Sequence, residues 1–282
     1  MSTKTVKQHI ILIDSSYTAF YRFFATLRWY SMANAEEFKE LKGDATYDWM
    51  KNKVFIEKYE KMFLKSILDL VKKKVYNNSK IIFCMDTPKE SLWRTELDCM
   101  YKAERADLSL KNNFKPTFAY TFDTMIPKFI QDNPNIKKLR IDKMEADDII
   151  ACICIHEKNI NSNNSIFLVS GDEDFKQLGR EHLTFINYKS KKPLVLTEDE
   201  AILSLNTKLV MGDKSDCIKG IFPKGTKHPP SKELIEDNAK LETYIGSNND
   251  AKKQYELNKK MIDFKNIPKK YFDKVIKEYN QL

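Results

Sequence analysis

HIILIDSSYTAF, residues 9–20, opens with a run of branched apolar side chains, Ile10 to Ile13, and closes with helical spacing. An uninterrupted apolar run of this kind reads as a strand buried on both faces, because a half-exposed strand would alternate with polar residues. Asp14 stands where the strand gives way to the helix. The same grammar returns at KIIFCMD (80–86), KLRID (138–142) and IFLVS (166–170), with LTFINY (183–188) and PLVL (193–196) as further strands, edge or antiparallel. Helical spacing fills 16–27, 54–74, 89–106, 122–132 and 145–158. Strand–helix alternation predicts an α/β fold, a mostly parallel central sheet with helices on both faces. Beyond Leu196 the pattern is helical only (198–210, 231–245, 250–262, 268–280), with a Gly/Pro-bearing interruption at 220–230. The expected division is therefore a core over residues 1–200 and a helical C-terminal region over 201–282. The stretch 31–53 carries no assignable pattern.

Of the 282 residues, 42% are hydrophobic, enough for a sizeable core and too many for a disordered chain. No apolar run approaches the ~18–20 residues of a membrane span, and Ile10–Ile13 is too short for a signal peptide, so a cytoplasmic protein without a membrane partner is expected. The five cysteines (Cys84, Cys99, Cys152, Cys154, Cys217) are odd in number and read as reduced thiols. Cys152, Cys154 and His156 share one helix but no fourth ligand is evident, so they read as small core residues, not a zinc site. Neither a dinucleotide-binding nor a P-loop glycine pattern is present.

The acidic residues fall at strand ends. Asp14 ends the first strand and Asp86 the second. Glu145, Asp147 and Asp148 follow the third in KMEADDIIACI, and Asp172 and Asp174 follow the fourth in LVSGDEDFKQL. Asp213 and Asp216 lie in MGDKSDCI. A single Asp after a strand is ordinarily a helix cap or turn residue, and paired Asp in a first helical turn suits the macrodipole. In an open parallel sheet, however, these ends line one edge, where ligands bind at the reversal of strand order. Nine carboxylates from five segments would repel there and raise one another's pKa unless cations neutralised them. Oxygen donors without His or Cys select Mg²⁺ or Mn²⁺, and their number suits two ions roughly 3.5–4 Å apart, the clamp of phosphodiester cleavage.

Setting these nine aside leaves 31 acidic residues against 48 basic, a balance of +17 over the rest of the chain. An acidic pocket inside a basic shell suits a polyphosphate partner. In TPKESLWRTELDCMYKAER, a helix would gather Arg94, Tyr101 and Arg105 in a narrow arc with Lys102 beside it, cations and an aromatic for a phosphate and an unstacked base. The same spacing also describes a solvated helix with ion pairs. The stretch 252–282 holds nine Lys against four acidic residues, a phosphate-tracking or solubilising surface.

With these residues in view, the chain resembles the flap endonuclease / 5′-nuclease (PIN-like) superfamily, and within it the phage-type branch called ribonuclease H. The matching pieces are ILIDSSYTAF, IIFCMDTPKESLWR, MYKAER, RIDKMEADDIIA, LVSGDEDFKQL and GDKSDCIKGI, in family order, with YELNKKMIDFKNIP as a late segment. The resemblance implies a divalent-metal-dependent 5′→3′ exonuclease and flap endonuclease acting on branched, nicked or 5′-flap DNA and on RNA–DNA, and removing primers during replication. It makes Asp14, Asp86, Glu145, Asp147, Asp148, Asp172, Asp174, Asp213 and Asp216 the metal-site carboxylates. Lys102 and Arg105 become the catalytic cations of a helical gateway at about 87–118, and Arg94 and Tyr101 nucleic-acid contacts. Many members follow G-D-x-S-D-N-I with a glycine-rich helix–turn–helix that binds duplex and often K⁺. Here Cys217 replaces the Asn and the G-x-G turn is missing, so duplex contact through Lys214 and Lys219 is expected but K⁺ is not. No tail motif for a sliding clamp or single-strand-binding protein is visible, and a monomer is expected. Three rivals are a PIN-type ribonuclease, a non-catalytic structure-specific DNA-binding protein of the same fold, and a haloacid-dehalogenase-type phosphatase, whose nucleophile motif belongs where Asp14-Ser15-Ser16 stands.

Overall fold

The computed structural model describes residues 9–42, 44, 46–88, 91–103, 113–160, 163–223, 225–226 and 230–282. Six strands form the central sheet: β1 His9–Asp14, β2 Ser79–Met85, β3 Ile136–Arg140, β4 Ser165–Val169, β5 Leu183–Ile186 and β6 Pro193–Leu194. Their order is β3-β2-β1-β4-β5-β6. The first five are parallel and β6 runs antiparallel on β5. The chain builds outward from β1 to β3 on one side and then crosses to β4 on the other. The reversal of strand order therefore lies between β1 and β4, which places a crevice at the ends of those two strands.

Alternate residues of each strand face opposite layers. Ile11, Ile13, Ile81 and Phe83 pack under α1 (Ser15–Ala33), α3 (Lys53–Val71), α5 (Phe114–Tyr120) and α6 (Ile126–Asp132), with α2 (Ala35–Leu41) and α4 (Lys73–Asn77) at their ends. Ile10, Leu12, Ile82 and Cys84 pack under α7 (Ala146–Asn159). A third apolar cluster is built by α8 (Glu198–Met211), α9 (Ser231–Glu236), α10 (Asn238–Ser247) and α11 (Asn249–Ile262), around a short hairpin of β7 (Gly212–Asp213) and β8 (Ile218–Lys219).

The division near residue 200 needs refinement. Phe264, Ile267, Tyr271, Val275 and Tyr279, on the last turn and on α12 (Lys269–Tyr279), belong to the α7 layer of the sheet core. Residues 201–262 thus form a lateral unit, and the chain then returns to the core. Among the described residues, no helix is long and apolar enough to cross a membrane. All five cysteines are free, with Cys84, Cys152 and Cys154 buried.

Candidate active site

Local capping fixes each strand-end carboxylate at the sheet edge. Asp14 Oδ1 accepts from the Tyr17 amide (3.0 Å), capping α1, while its Oδ2 accepts from Ser170 Oγ (2.8 Å) at the end of β4. Ser170 Oγ also accepts from the Asp172 amide (3.1 Å), and Asp172 Oδ1 accepts from the Asp174 amide (2.9 Å). Asp86 Oδ1 accepts from the Ala146 amide (2.7 Å) in the first turn of α7. Asp213 Oδ1 accepts from both the amide and the hydroxyl of Ser215 (2.8 and 2.6 Å). Capping and clustering are therefore not alternatives. The caps aim the carboxylates.

Two pockets open on this edge. A cleft of about 500 Å³ is lined by Asp14, Asp86, Glu145, Asp147, Asp172 and Lys102. A much smaller pocket, about 10 Å³, is lined by Asp147, Asp174, Asp213 and Asp216, with Met261, Ile262 and Phe264 behind them. Asp147 borders both. Eight of the nine expected carboxylates thus meet at these pockets.

Asp148 is the exception and corrects the expectation. Successive helical residues point about 100° apart, and only Asp147 of the pair lines either pocket. Asp148 is fully buried; its Oδ2 accepts from Trp93 Nε1 (2.9 Å) and its Oδ1 lies 2.7 Å from Arg94 Nη1. It also completes a capping box with Glu145. Its role is to anchor the start of α7.

The electrostatics follow from crowding. The Asp14 carboxyl is pushed up to about 7, first by burial and then by Asp86. Burial and Glu145 raise Asp86, and burial and Asp172 raise Asp147. Burial also raises Glu145, but Lys102 and Arg94 outweigh it and hold that group down at about 2. At Asp213 burial is outweighed by hydrogen bonds from Lys208 and Ser215, which lower it. Lys208 bridges Asp174 and Asp213 (2.6 Å to the latter).

The expected helix over 89–106 is not what the described part of that stretch forms. Trp93–Glu96 makes a single 3₁₀ turn, and Lys102 adopts a left-handed conformation (φ 55°). Such a backbone costs an L-residue roughly 1–2 kcal/mol and ends any helix there. Tertiary partners hold it. The Lys102 amide donates to the Asp216 carbonyl (3.0 Å), and its ammonium is bound by Glu145 and lies 3.6 Å from Asp216 Oδ2. Tyr101 is buried and donates to Glu145 Oε2 (2.8 Å). Arg94 is 3% exposed, so its expected nucleic-acid contact gives way to an internal one, with Asp148, Glu145 and the Met261 carbonyl. Arg105 and the rest of residues 104–112 of the expected gateway, with 89–90, lie outside the described residues. Lys214 and Lys219 are exposed on the β7–β8 hairpin and its turn.

Three features were not foreseen from sequence. Part of the cleft lining is aromatic: Tyr17, Phe20, Phe114 and Phe118. Phe20 is 46% exposed yet stacks on Phe114 at 5.0 Å, and at its position on α1 it reads as one more core residue. Gly171 lets Tyr17 approach, since a Cβ there would sit 1.9 Å from the Tyr17 hydroxyl. Lys208, five residues before Asp213, carries no sequence signal of its own.

The donor set fits divalent ions: carboxylate oxygens around each pocket, three of the groups raised first by burial and then by a neighbouring carboxylate, and neither Cys nor His among the lining residues. The carboxylates line the walls; among the described residues no three His, Cys, Asp or Glu side chains close on one ion-sized point.

Comparison with known proteins agrees with this geometry. Residues 9–206 match the family model described as 5′-3′ exonuclease, N-terminal resolvase-like domain. Ribonuclease H of Enterobacteria phage T4 is 26% identical over 249 residues, covering 82% of this chain and 79% of that protein. DNA polymerase I of Streptococcus pneumoniae is 27% identical over 273 residues, 92% of this chain but 27% of the polymerase. The fold is similar to that of the T5 5′-exonuclease with bound zinc (TM-score 0.62, 15% identity, covering 97% of this chain and 99% of that one). It is also similar to a bacteriophage T5 flap endonuclease in a pseudo-enzyme-product complex with DNA and metal ions (TM-score 0.65, 16% identity, 97% and 98% covered).

Proposed function

Because this chain belongs to the 5′-3′ exonuclease family and is a phosphodiester hydrolase, we propose that it cuts 5′-flap, nicked or branched DNA and RNA–DNA with the help of two divalent ions. The observation that carries this reading is the meeting of eight carboxylates, from both sides of the strand-order reversal, at two adjoining pockets sharing Asp147. The ribonuclease H name of the phage T4 relative supports activity on RNA–DNA, and with it primer removal during phage replication in a host cytoplasm. The metal-bound and DNA-bound T5 structures support the cofactor and the substrate.

Asp14, Asp86, Glu145, Asp147 and Asp172 would hold one ion, and Asp147, Asp174, Asp213 and Asp216 the other. Mg²⁺ suits such all-oxygen sites, with Mn²⁺ as a substitute. Bound there, the ions supply Lewis acidity to the scissile phosphodiester and to the attacking water. The protein supplies the rest. Lys102, buried and held by Glu145 and Asp216 but, unlike Arg94, in the lining of the larger cleft, would offer its ammonium to a phosphate oxygen where charge develops. Arg105 is assigned the same task by its place in MYKAER. The aromatic part of the lining offers π-faces to unpaired bases, and exposed Lys214 and Lys219 suit duplex phosphates. Cleavage would leave a 5′-phosphate and a 3′-hydroxyl.

The test is incubation with 5′-flap, nicked and single-stranded substrates, in Mg²⁺ and in EDTA. Cutting in Mg²⁺ alone is expected. Substrate bound but uncut in every Mg²⁺ lane would favour a non-catalytic DNA-binding protein, and cleavage of RNA alone a PIN-type ribonuclease.

A further inference from the structure

We infer that Gln177 and Arg94 are positioning residues that suspend both halves of the cutting centre from one C-terminal turn, Met261–Phe264; the inference rests on the nuclease reading. Gln177 lies on the 3₁₀ turn Glu173–Leu178, which carries Asp174 and is capped by Asp172. Its Nε2 donates to the Ile262 carbonyl (3.1 Å) and its Oε1 accepts from the Phe264 amide (3.0 Å). From the other side, Arg94 Nε donates to the Met261 carbonyl (2.7 Å), while its Nη1 donates to Glu145 Oε2 (3.2 Å) and lies 2.7 Å from Asp148 Oδ1. Trp93 Nε1 holds the other Asp148 oxygen.

Met261 and Ile262 end α11, where carbonyls lack helical donors and must find others. Here the donors come from two distant segments, one carrying Asp172 and Asp174 and the other bonded through Arg94 to Glu145. The Met261, Ile262 and Phe264 side chains at the same time line the smaller pocket, against Asp147, Asp174, Asp213 and Asp216. The turn is thus both a wall of that pocket and a strut between its walls. It lies beyond residue 206, outside the part of the chain that the family model matches. The spacing of the two ions would accordingly be set by a segment that contributes no carboxylate to either pocket.

The experiment uses the full chain and Mn²⁺ as the probe. In Gln177→Leu, which loses both hydrogen bonds, Mn²⁺ titration by electron paramagnetic resonance should show the weaker ion bound on the order of tenfold less tightly. Single-turnover flap cleavage should slow by about 10–100-fold, the usual cost of removing a support behind metal ligands, with flap binding in Ca²⁺ essentially unchanged. Gln177→Glu keeps the acceptor for Phe264 and loses the donor to Ile262, so it should fall between. Tyr279→Phe is the structural control, because it removes another buried C-terminal hydrogen bond, to Glu157 (2.7 Å), on the α7 layer and away from both pockets. It should lower the melting temperature while leaving Mn²⁺ affinity and rate alone. Gln177 variants that match wild type, or that lose Mn²⁺ affinity and rate only as Tyr279→Phe does, overturn the inference. A wild-type protein that neither binds Mn²⁺ nor cuts overturns instead the nuclease reading beneath it.

Discussion

Replacing Asp14 by Asn should stabilise the metal-free protein, and by an amount that depends on pH. The Asp14 carboxyl titrates near 3.8 in an unfolded chain and at about 7 in the fold, raised by burial and by Asp86. A raised carboxyl pKa penalises the folded state as pH climbs: nothing is lost below the unfolded value, and the loss is complete above the folded one. Between about pH 5 and about pH 7 the folded group stays protonated while the unfolded one is ionised, two pH units or about 3 kcal/mol. At roughly 2–4 °C per kcal/mol, that corresponds to a wild-type melting temperature lower by about 5–10 °C at pH 8 than at pH 5. Asn carries no charge, keeps an oxygen for the Tyr17 amide and escapes the loss. The melting-temperature gap between variant and wild type should therefore widen by this amount from pH 5 to pH 8, with titrations common to both proteins cancelling. Millimolar Mg²⁺ at pH 8 should close the gap, because an ion neutralises the crowded carboxylates only where they are charged. Thermal unfolding in EDTA and in Mg²⁺ across that range measures it. A gap that stays constant with pH, or one that Mg²⁺ leaves open, would show that Asp14 is not held in a repulsive acidic cluster.

Lys102→Ala should slow single-turnover cleavage on the order of 100–1,000-fold with little change in Ca²⁺-supported binding, and Lys102→Arg should recover only part of the rate, because the guanidinium differs in shape and reach. Equal losses of rate and binding would make Lys102 an ordinary phosphate contact. Asp172→Asn should abolish cutting while sparing or tightening flap binding; retained turnover would mean that the acidic cluster is structural. Flap affinity should fall with salt along a log–log slope of magnitude roughly 4 or more, and a flat dependence would refute the role of the basic shell. Truncation after Asp263 should leave the chain aggregated or molten by near-ultraviolet circular dichroism, since Phe264, Ile267, Tyr271, Val275 and Tyr279 belong to the sheet core; a cooperatively folded fragment would contradict that packing.

Strands with their own signal were legible. Ile10–Ile13 and the run 81–85 are buried on both faces and need no context. The third strand begins two residues before its sequence signal, because Lys137 and Lys138 lie on an edge strand whose exposed positions carry charge. The helix expected over 231–245 is two, because Asp237 accepts from the Ala239 and Lys240 amides and starts a second one. The unassigned 31–53 holds the end of α1, the short α2 and a 3₁₀ turn at Trp49–Lys51, elements too brief to show a period. At the site, Asp14, Asp86, Asp172 and Asp174 were legible from strand ends alone. The local sequence does not settle which of Asp147 and Asp148 faces the pocket, since that depends on what α7 packs against. The spacing of Arg94, Tyr101 and Lys102 suits a helix; the buried pull of Glu145 and Asp216 overrides that propensity.

The aromatic residues that share the cleft lining with the carboxylates have a consequence for what such a cleft can distinguish. A strand in this cleft meets aromatic rings and carboxylates together, the rings suiting its bases and carboxylate-held ions its phosphates. In an intact duplex the π-faces are already taken by neighbouring bases, and exposing one costs a few kcal/mol of unstacking. An overhanging flap has no such debt. Every base has a π-face, so the preference attaches to strandedness and is blind to sequence. On blunt ends the rate would follow how often the terminal pair frays, so A·T ends would be eroded faster than G·C ends without any group on the protein reading a base.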